Sequence, residues 1–355
     1  MNFNPSAVSR VCIRATNWLG DAIISLPAVR AIRATLPHAY IAVVARPSLA
    51  EIYQRERSVD AVIPYPAPVR FADRRAFAAK LRAQHFDAAI LLQNAFDAAL
   101  VAWLAGIPQR IGYARDGRSF LLTQAIPLPE PGDLPRHERY YYLELLRRAG
   151  ILERFPVCET ILLDGLSEAR ETGAAEIGAL CGGRPAIGIN PGAAYGNAKR
   201  WLPERFAEAA RQIAAGLDAR VLVFGASAER DLCESVACAV GPAAINLAGQ
   251  TTLKQFIDLA SACTLMLVND SGAMHIAAAV GIPAVAIFGA TDDTTTGPSS
   301  PLVHVVREHA ECSPCLLREC PIDHRCMTRV TADRVAAEGR AAIEEAAVWI
   351  RAPKF

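Results

Sequence analysis

The stretch Leu265 to Asp293, LMLVNDSGAMHIAAAVGIPAVAIFGATDD, leaves a chain little freedom in how to fold. Leu265 to Val268 and Ala284 to Phe288 are short, wholly apolar runs, the pattern of strands buried on both faces. Between them a polar turn leads into Ser271 to Val280, an apolar segment of helical length. Strand, tight turn, helix, strand is the repeat of a parallel sheet, and such sheets hold ligands at the turns leaving the carboxyl ends of strands. Asn269, Asp270, Ser271 and Gly272 occupy that turn.

A helix opened by Ser271 and Gly272 turns its first N–H groups and its positive end toward whatever lies at the turn, which suits an anion such as a diphosphate. Asp270 is a candidate acceptor for sugar hydroxyls, and His275, one turn on, is expected to face the same cleft. The plainer alternatives are a capping role for Asp270 or Ser271 and a packed core role for His275.

The same alternation starts at the amino end. Val11 to Ile13 reads as a strand, the loop RATNWLGD follows, and AIISLPAVRAIRATLP reads as one helix with Pro27 near its first turn. Asp21 lies where strand hands over to helix. It is either an N-cap, worth about 1 kcal/mol, or a carboxylate at the mouth of the sheet, with Gly20 supplying backbone freedom beside it. Strands are predicted at Ile41 to Ala45, Ala61 to Pro64, Ala88 to Leu92 and Arg110 to Tyr113. Helices are predicted at Phe71 to Gln84, Ala95 to Ala105 and Arg136 to Gly150, the last carrying Tyr140, Tyr141 and Tyr142 for an aromatic face or an acceptor groove.

The Gly- and Pro-rich residues 155 to 185 read as a junction, after which a second series begins. Its strands are predicted at Ala186 to Asn190, Arg220 to Phe224, Ala244 to Leu247, Leu265 to Val268 and Ala284 to Phe288. The fold class is therefore α/β, with one doubly wound domain over residues 1–165, a second over 166–355, and an amphipathic helix at 331–350 expected to pack across the junction. In the loop NPGAAYGNAKRWLPERF, Gly192 and Gly196 are expected to make a flexible crossing, and Lys199 and Arg200 bring two cations to the mouth of the second sheet. The loop FGASAE offers Glu229 to the hydroxyls of a nucleoside.

Charge is divided unevenly. Residues 1–165 carry five more basic than acidic side chains and the remainder four fewer, so the first half is the expected docking face for an acidic partner, with Arg70, Arg74, Arg75, Lys80 and Arg82 at helical spacing. A net charge of +1 argues against a nucleic-acid binder. The absence of an 18-residue apolar run, and of a signal-peptide core in MNFNPSAVSR, points to a cytoplasmic chain. Among ten cysteines, Cys12, Cys158, Cys181, Cys233, Cys238 and Cys263 read as small core residues. Cys312, Cys315, Cys320 and Cys326, spaced C-x2-C-x4-C-x5-C with His324 nearby, have a spacing able to hold zinc or to form a loop near the ligand. No metal site is assigned.

Together NWLGDAIISLPAVRAI, NPGAAYGNAKRW, VNDSGAMHIAAAVGIPAVAIFGATD and CSPCLLRECPIDHRCM resemble the lipopolysaccharide heptosyltransferases of glycosyltransferase family 9. The resemblance spans both halves of the chain. It implies a GT-B architecture, two Rossmann-like domains facing a central cleft, with the acceptor held by the first and the nucleotide-sugar donor mainly by the second. It implies ADP-L-glycero-D-manno-heptose as donor, heptosyl-Kdo-lipid A as acceptor, inversion at the anomeric carbon, and peripheral contact with the inner face of the cytoplasmic membrane; no cofactor is implied.

Carried onto this chain, the resemblance makes Asp21 the general base and Lys199 the diphosphate-contacting lysine. Asp270, Ser271, Gly272 and His275 match its donor-binding turn, and Asn17, Gly20, Arg200 and Glu229, read from the loops themselves, complete the expected substrate contacts. Ala194 and Tyr195 stand where a relative has a threonine pair, which shifts phosphate contact toward backbone N–H groups and Lys199. The alternatives are a family relative using another heptose acceptor or another sugar nucleotide, and a non-catalytic nucleotide-sugar binder. A dehydrogenase is disfavoured because RATNWLGD, and no G-x-G-x-x-G, follows the first strand.

Overall fold

The computed structural model describes Phe3 and residues 5–351, and the chain divides into two compact units, Met1–Cys158 and Glu159–Phe355. The first holds strands β1 (Arg10–Arg14), β2 (Tyr40–Ala45), β3 (Ala61–Pro64), β4 (Ala88–Leu91), β5 (Gln109–Tyr113) and β6 (Gln124–Ile126). Its helices are α1 (Leu19–Ile24), α2 (Leu26–Thr35), α3 (Ala50–Gln54), α4 (Phe71–Arg82), α5 (Phe96–Leu104) and α6 (Arg139–Arg148). The second unit holds β7 (Ala186–Asn190), β8 (Arg220–Val223), β9 (Ala244–Asn246), β10 (Leu265–Asn269), β11 (Ala284–Phe288) and β12 (Val303–Arg307). Its helices are α7 (Leu166–Cys181), α8 (Pro203–Leu217), α9 (Arg230–Val240), α10 (Leu253–Ala262), α11 (Gly272–Val280), α12 (Asp293–Thr296), α13 (Arg325–Thr328) and α14 (Ala332–Arg351).

Both six-stranded sheets are parallel throughout, ordered β3-β2-β1-β4-β5-β6 and β12-β11-β10-β7-β8-β9. Counted within each unit, both orders are 3-2-1-4-5-6, the doubly wound arrangement whose ligand crevice lies at the carboxyl ends of the first and fourth strands. In the first unit these are β1 and β4; in the second they are β7 and β10. Strands β4, β10 and β11 are buried at every residue and β1 and β7 at all but one, which is why they read as largely apolar runs. Edge strands β6 and β12 were not expected, being short or only partly buried. No helix among the described residues is long and apolar enough to cross a membrane.

Two expected elements differ in instructive ways. The single helix expected after β1 is two, α1 and α2, broken at Ser25, whose hydroxyl donates to the Ala22 carbonyl at 3.0 Å. Pro27 becomes the second residue of α2, where its missing N–H costs nothing. The stretch 155–185, read as a junction, holds the boundary between the units at Cys158 and Glu159 and also the sixteen-residue helix α7, which packs on α10. Its Gly173 reflects close approach: a Cβ there would stand 1.9 Å from the Asp258 carbonyl oxygen. Gly173→Ala is expected to force the two helices apart and lower stability by roughly 2 kcal/mol, read by urea unfolding. A variant as stable as the parent would refute this packing.

Helix α14 lies on α8 and on strands β10, β11 and β12 of its own unit. In α6 the tyrosines pack: Tyr142 is buried, the Tyr141 ring lies 4.5 Å from that of Tyr113, and the Tyr113 hydroxyl donates to the Tyr141 carbonyl at 2.7 Å. On the same helix, buried Glu144 accepts from Arg147 at 2.6 and 2.8 Å and from Arg148 at 2.6 Å. Burial opposes its charge, but the hydrogen bonds from the two arginines outweigh burial and hold the carboxyl below the usual glutamate range. A depressed folded pKa stabilises above the unfolded value of about 4.3 and is lost as pH falls through the folded one. Glu144→Gln is therefore expected to cost roughly 1–2 kcal/mol near neutral pH, since the arginines it leaves behind remain partly exposed, and much less in acid. An equal loss in urea unfolding at both ends of the range would refute it.

Of the basic residues expected to form a docking face, Arg74 pairs with Asp97 at 2.6 Å and Arg82 donates to the Ala105 carbonyl near the end of α5 at 3.4 Å. Arg70, Arg75 and Lys80 remain exposed. Cys238, expected in the core, is exposed, its thiol 3.5 Å from Glu234; the other five scattered cysteines are buried.

Candidate functional site

In the first unit, β1 delivers the chain to the crevice through the buried run Val11 to Thr16 and then turns into α1. Trp18 occupies the N-cap position, so Asp21 is the third helical residue, in the first turn, and not the cap. Gly20 is likewise within the helix and takes ordinary helical backbone, correcting the expectation of special backbone freedom there. A carboxylate in a first turn is favoured by the positive end of the helix. Asp21 is half-buried and sits among Tyr53, Tyr142 and Glu138. Burial raises all three of their pKa values, Tyr53 to about 12, and the charge of Asp21 adds to each shift. The amide oxygen of Asn17, in the same loop, is buried with no hydrogen-bond partner.

The wall on the β4 and β5 side is set by a residue that sequence reasoning passed over. Arg118 is fully buried, and its guanidinium donates to the carbonyls of Tyr113 (3.1 Å) and Gln93 and to the Asn94 side chain (3.2 Å). It thus ties together the carboxyl ends of β4 and β5. Burial lowers its pKa to about 10. Asn94 in turn donates to the Tyr141 hydroxyl at 2.8 Å. An Arg-x-Phe in a Gly-containing loop carries no local pattern that would have singled it out.

In the second unit, the loops after β7 and β10 meet across the strand-order switch. Lys199 ends a short 3-10 turn, Asn197–Lys199, and its ammonium donates to Asp270 Oδ2 at 2.6 Å; the Lys199 side chain is 13% exposed and that of Asp270 4%. The Thr291 hydroxyl, from the loop after β11, donates to the same oxygen. Asp270, expected as a sugar acceptor, is thus first the anchor of the lysine. Asn269 locks the two loops, accepting from the Trp201 N–H at 3.0 Å and donating to the Pro191 carbonyl at 2.7 Å. Thr291 stands in the quoted GATDD segment but was not singled out, because a Thr after a strand has no distinctive signal.

Ser271 is the N-cap residue of α11 and Gly272 its first helical residue. The Ser271 hydroxyl makes no capping bond and is buried without a partner. His275 is buried within α11. Arg200 diverges from Lys199: it donates to the Ala193 carbonyl at 3.4 Å and lies 4.0 Å from Glu229. Glu229 accepts from the Ala226 N–H at 3.0 Å and lies against Gly192, where a Cβ would stand 2.1 Å from its Oε1. The glycines of this loop therefore serve close approach, not the flexible crossing expected of them.

The cysteine block lies beside this loop. Cys326 is buried, and burial, followed by the neighbouring Cys312, Cys315 and Cys320, pushes its thiol up. Among the described residues no three His, Cys, Asp or Glu side chains come together as a cation site.

The two units are Rossmann-like sheets of one strand order, and the second presents a lysine beside a helix amino end at its switch point, the class of site that takes a phosphorylated ligand. Residues 74–325 match the model of glycosyltransferase family 9 (heptosyltransferase). The chain is 32% identical over 311 residues to lipopolysaccharide heptosyltransferase 2 of Escherichia coli K12, covering 84% of this chain and 88% of that protein. It is 31% identical over 309 residues, at the same coverage, to the protein of that name from Salmonella typhimurium LT2. The solved structure of Escherichia coli ADP-heptose lps heptosyltransferase II superposes with a TM-score of 0.81 at 28% identity, covering 95% of this chain and 99% of that one. The chain belongs to glycosyltransferase family 9, the heptosyltransferases.

Proposed function

We propose that this enzyme transfers L-glycero-D-manno-heptose from its ADP-linked form to the first heptose of a Kdo-lipid A inner core, with inversion at the anomeric carbon. The observation that carries the reading is the Lys199–Asp270 pair beside the amino end of α11, a phosphate-type site. The two relatives named lipopolysaccharide heptosyltransferase 2 supply the sugar and the acceptor class.

In this reading the first unit holds the acceptor, with Asp21 as base and Asn17 and Gly20 beside it. The second unit holds the donor through Lys199, Arg200, Glu229, Asp270, Ser271, Gly272 and His275. Asp21 takes the proton of the acceptor hydroxyl while that oxygen forms its bond to the anomeric carbon. The bond from that carbon to the diphosphate breaks on the opposite face, and ADP leaves with the electron pair. Lys199 and the amides of α11 stabilise the charge developing on the departing phosphate. Since the acceptor is lipid-linked, work at the inner face of the cytoplasmic membrane belongs to the proposal. Exposed Val69 and Phe71 beside Arg70 and Arg75 offer apolar and cationic groups for it.

Incubating purified protein with ADP-heptose and heptosylated Kdo-lipid A should add the mass of one heptose to the acceptor, read by mass spectrometry. Donor consumption without that gain, or no reaction at all, would overturn the reading.

A further inference from the structure

We infer that the cysteine-bearing segment 313–324 is a clasp that positions Lys199, with Tyr195 and His324 as its positioning residues. The inference rests on the reading of Lys199 as the diphosphate contact. The backbone next to Lys199 is gripped on both sides: the Ala198 N–H donates to the Arg318 carbonyl at 3.0 Å, and the Ala198 carbonyl accepts from His324 Nε2 at 3.0 Å. A carbonyl only accepts, so Nε2 carries a proton in this contact. Two residues before Lys199's neighbour, the chains touch at backbone level, since a Cβ on Gly196 would stand 2.1 Å from the Arg318 carbonyl oxygen.

Tyr195 closes the grip from outside. Its hydroxyl donates to the Leu316 carbonyl at 2.9 Å, and its ring lies 5.1 Å from the Lys199 ammonium and 5.2 Å from the Arg318 guanidinium. The segment is itself fixed to the sheet: the Leu316 N–H donates to the Ala290 carbonyl at 2.8 Å and the Ser313 hydroxyl to the Gly289 carbonyl at 2.5 Å, both just beyond β11. Leu316 and His324, two of the residues that touch the lysine loop, have φ of +57° and +56°. Non-glycine residues hold such backbone where their surroundings impose it, and functional contacts are a common reason. Asp270, itself bonded by Thr291, therefore holds the tip of Lys199 from the β10 side, while the clasp holds its backbone and flank. A lysine with four rotatable side-chain bonds gains more from such pre-positioning than a stiffer residue.

The test compares His324→Leu, which loses the donor, with His324→Gln, whose amide N–H can replace it. Losing one hydrogen bond that orders a binding group should weaken ADP affinity and raise the donor KM about tenfold, with the acceptor KM unchanged; His324→Gln should recover most of the loss. Tyr195→Phe, which removes only the hydroxyl, should shift the same parameters in the same direction and carries the test should His324→Leu fail to fold. In a Lys199→Ala background, adding His324→Leu should change ADP affinity no further. If Lys199→Ala weakens ADP binding while His324→Leu or Tyr195→Phe binds like the parent, or the paired losses simply add, the clasp is overturned. If Lys199→Ala itself binds ADP normally, it is the reading of Lys199 that fails.

Discussion

Asp21→Asn is expected to slow heptose transfer by about 10²- to 10⁴-fold, the usual contribution of a positioned general base, while ADP affinity stays within about twofold of the parent. Asparagine keeps the size and the first-turn position of the side chain in α1 but cannot take up the acceptor proton. The two effects separate because Asp21 belongs to the first unit, and the residues assigned to the nucleotide belong to the second. The acid limb of the kcat/KM profile that reports this carboxylate should also disappear from the residual activity. Steady-state rates with ADP binding by calorimetry check the prediction; turnover near the parent rate would remove Asp21 from the role of base.

Lys199→Ala is expected to do two kinds of damage. It leaves Asp270 buried beside Thr291 with no cation, and breaking a buried pair from one side typically costs 3–5 kcal/mol, so roughly that loss should appear in urea unfolding. It also removes the charge assigned to the leaving diphosphate, for which a loss of about 10²- to 10³-fold in kcat is expected by analogy with a single oxyanion donor. Adding Asp270→Asn should restore most of the stability and none of the rate, since the orphaned charge is gone but the cation is still missing. A double variant that regains activity with its stability would show that Lys199 acts only as Asp270's structural partner.

Much of the scaffold could be read from the chain. Ala186 to Asn190 and Ala284 to Phe288 appear with the expected bounds, because strands buried on both faces need unbroken apolar runs and those runs are local. The start of α11 was placed within a residue, since Ser-Gly before an apolar segment is a local signal too. The edges were less legible: β6 is three residues long, and β12 is buried at only two of its five residues. Helix α7 was missed within the stretch that also holds the unit boundary because glycine lowers helix propensity, whereas Gly173 is where α10 comes into backbone contact. Asp21 was placed at the right turn but in the wrong helical position.

The chain's own pattern of apolar runs and amphipathic segments determined two α/β series, their parallel sheets and the turns that leave the carboxyl ends of the strands, since burial and periodicity act over a few neighbouring residues. Tertiary structure alone decided which side chains meet at those turns. Lys199 meets Asp270 across 71 residues of sequence and Thr291 meets it across 21, while the grip of His324 on Ala198 spans 126. Such partners are chosen by strand order, which sets β10 between β7 and β11 and so brings three distant loops to one point. The physical reason is that a hydrogen bond depends on where two groups lie in space, and no local periodicity along the chain specifies that.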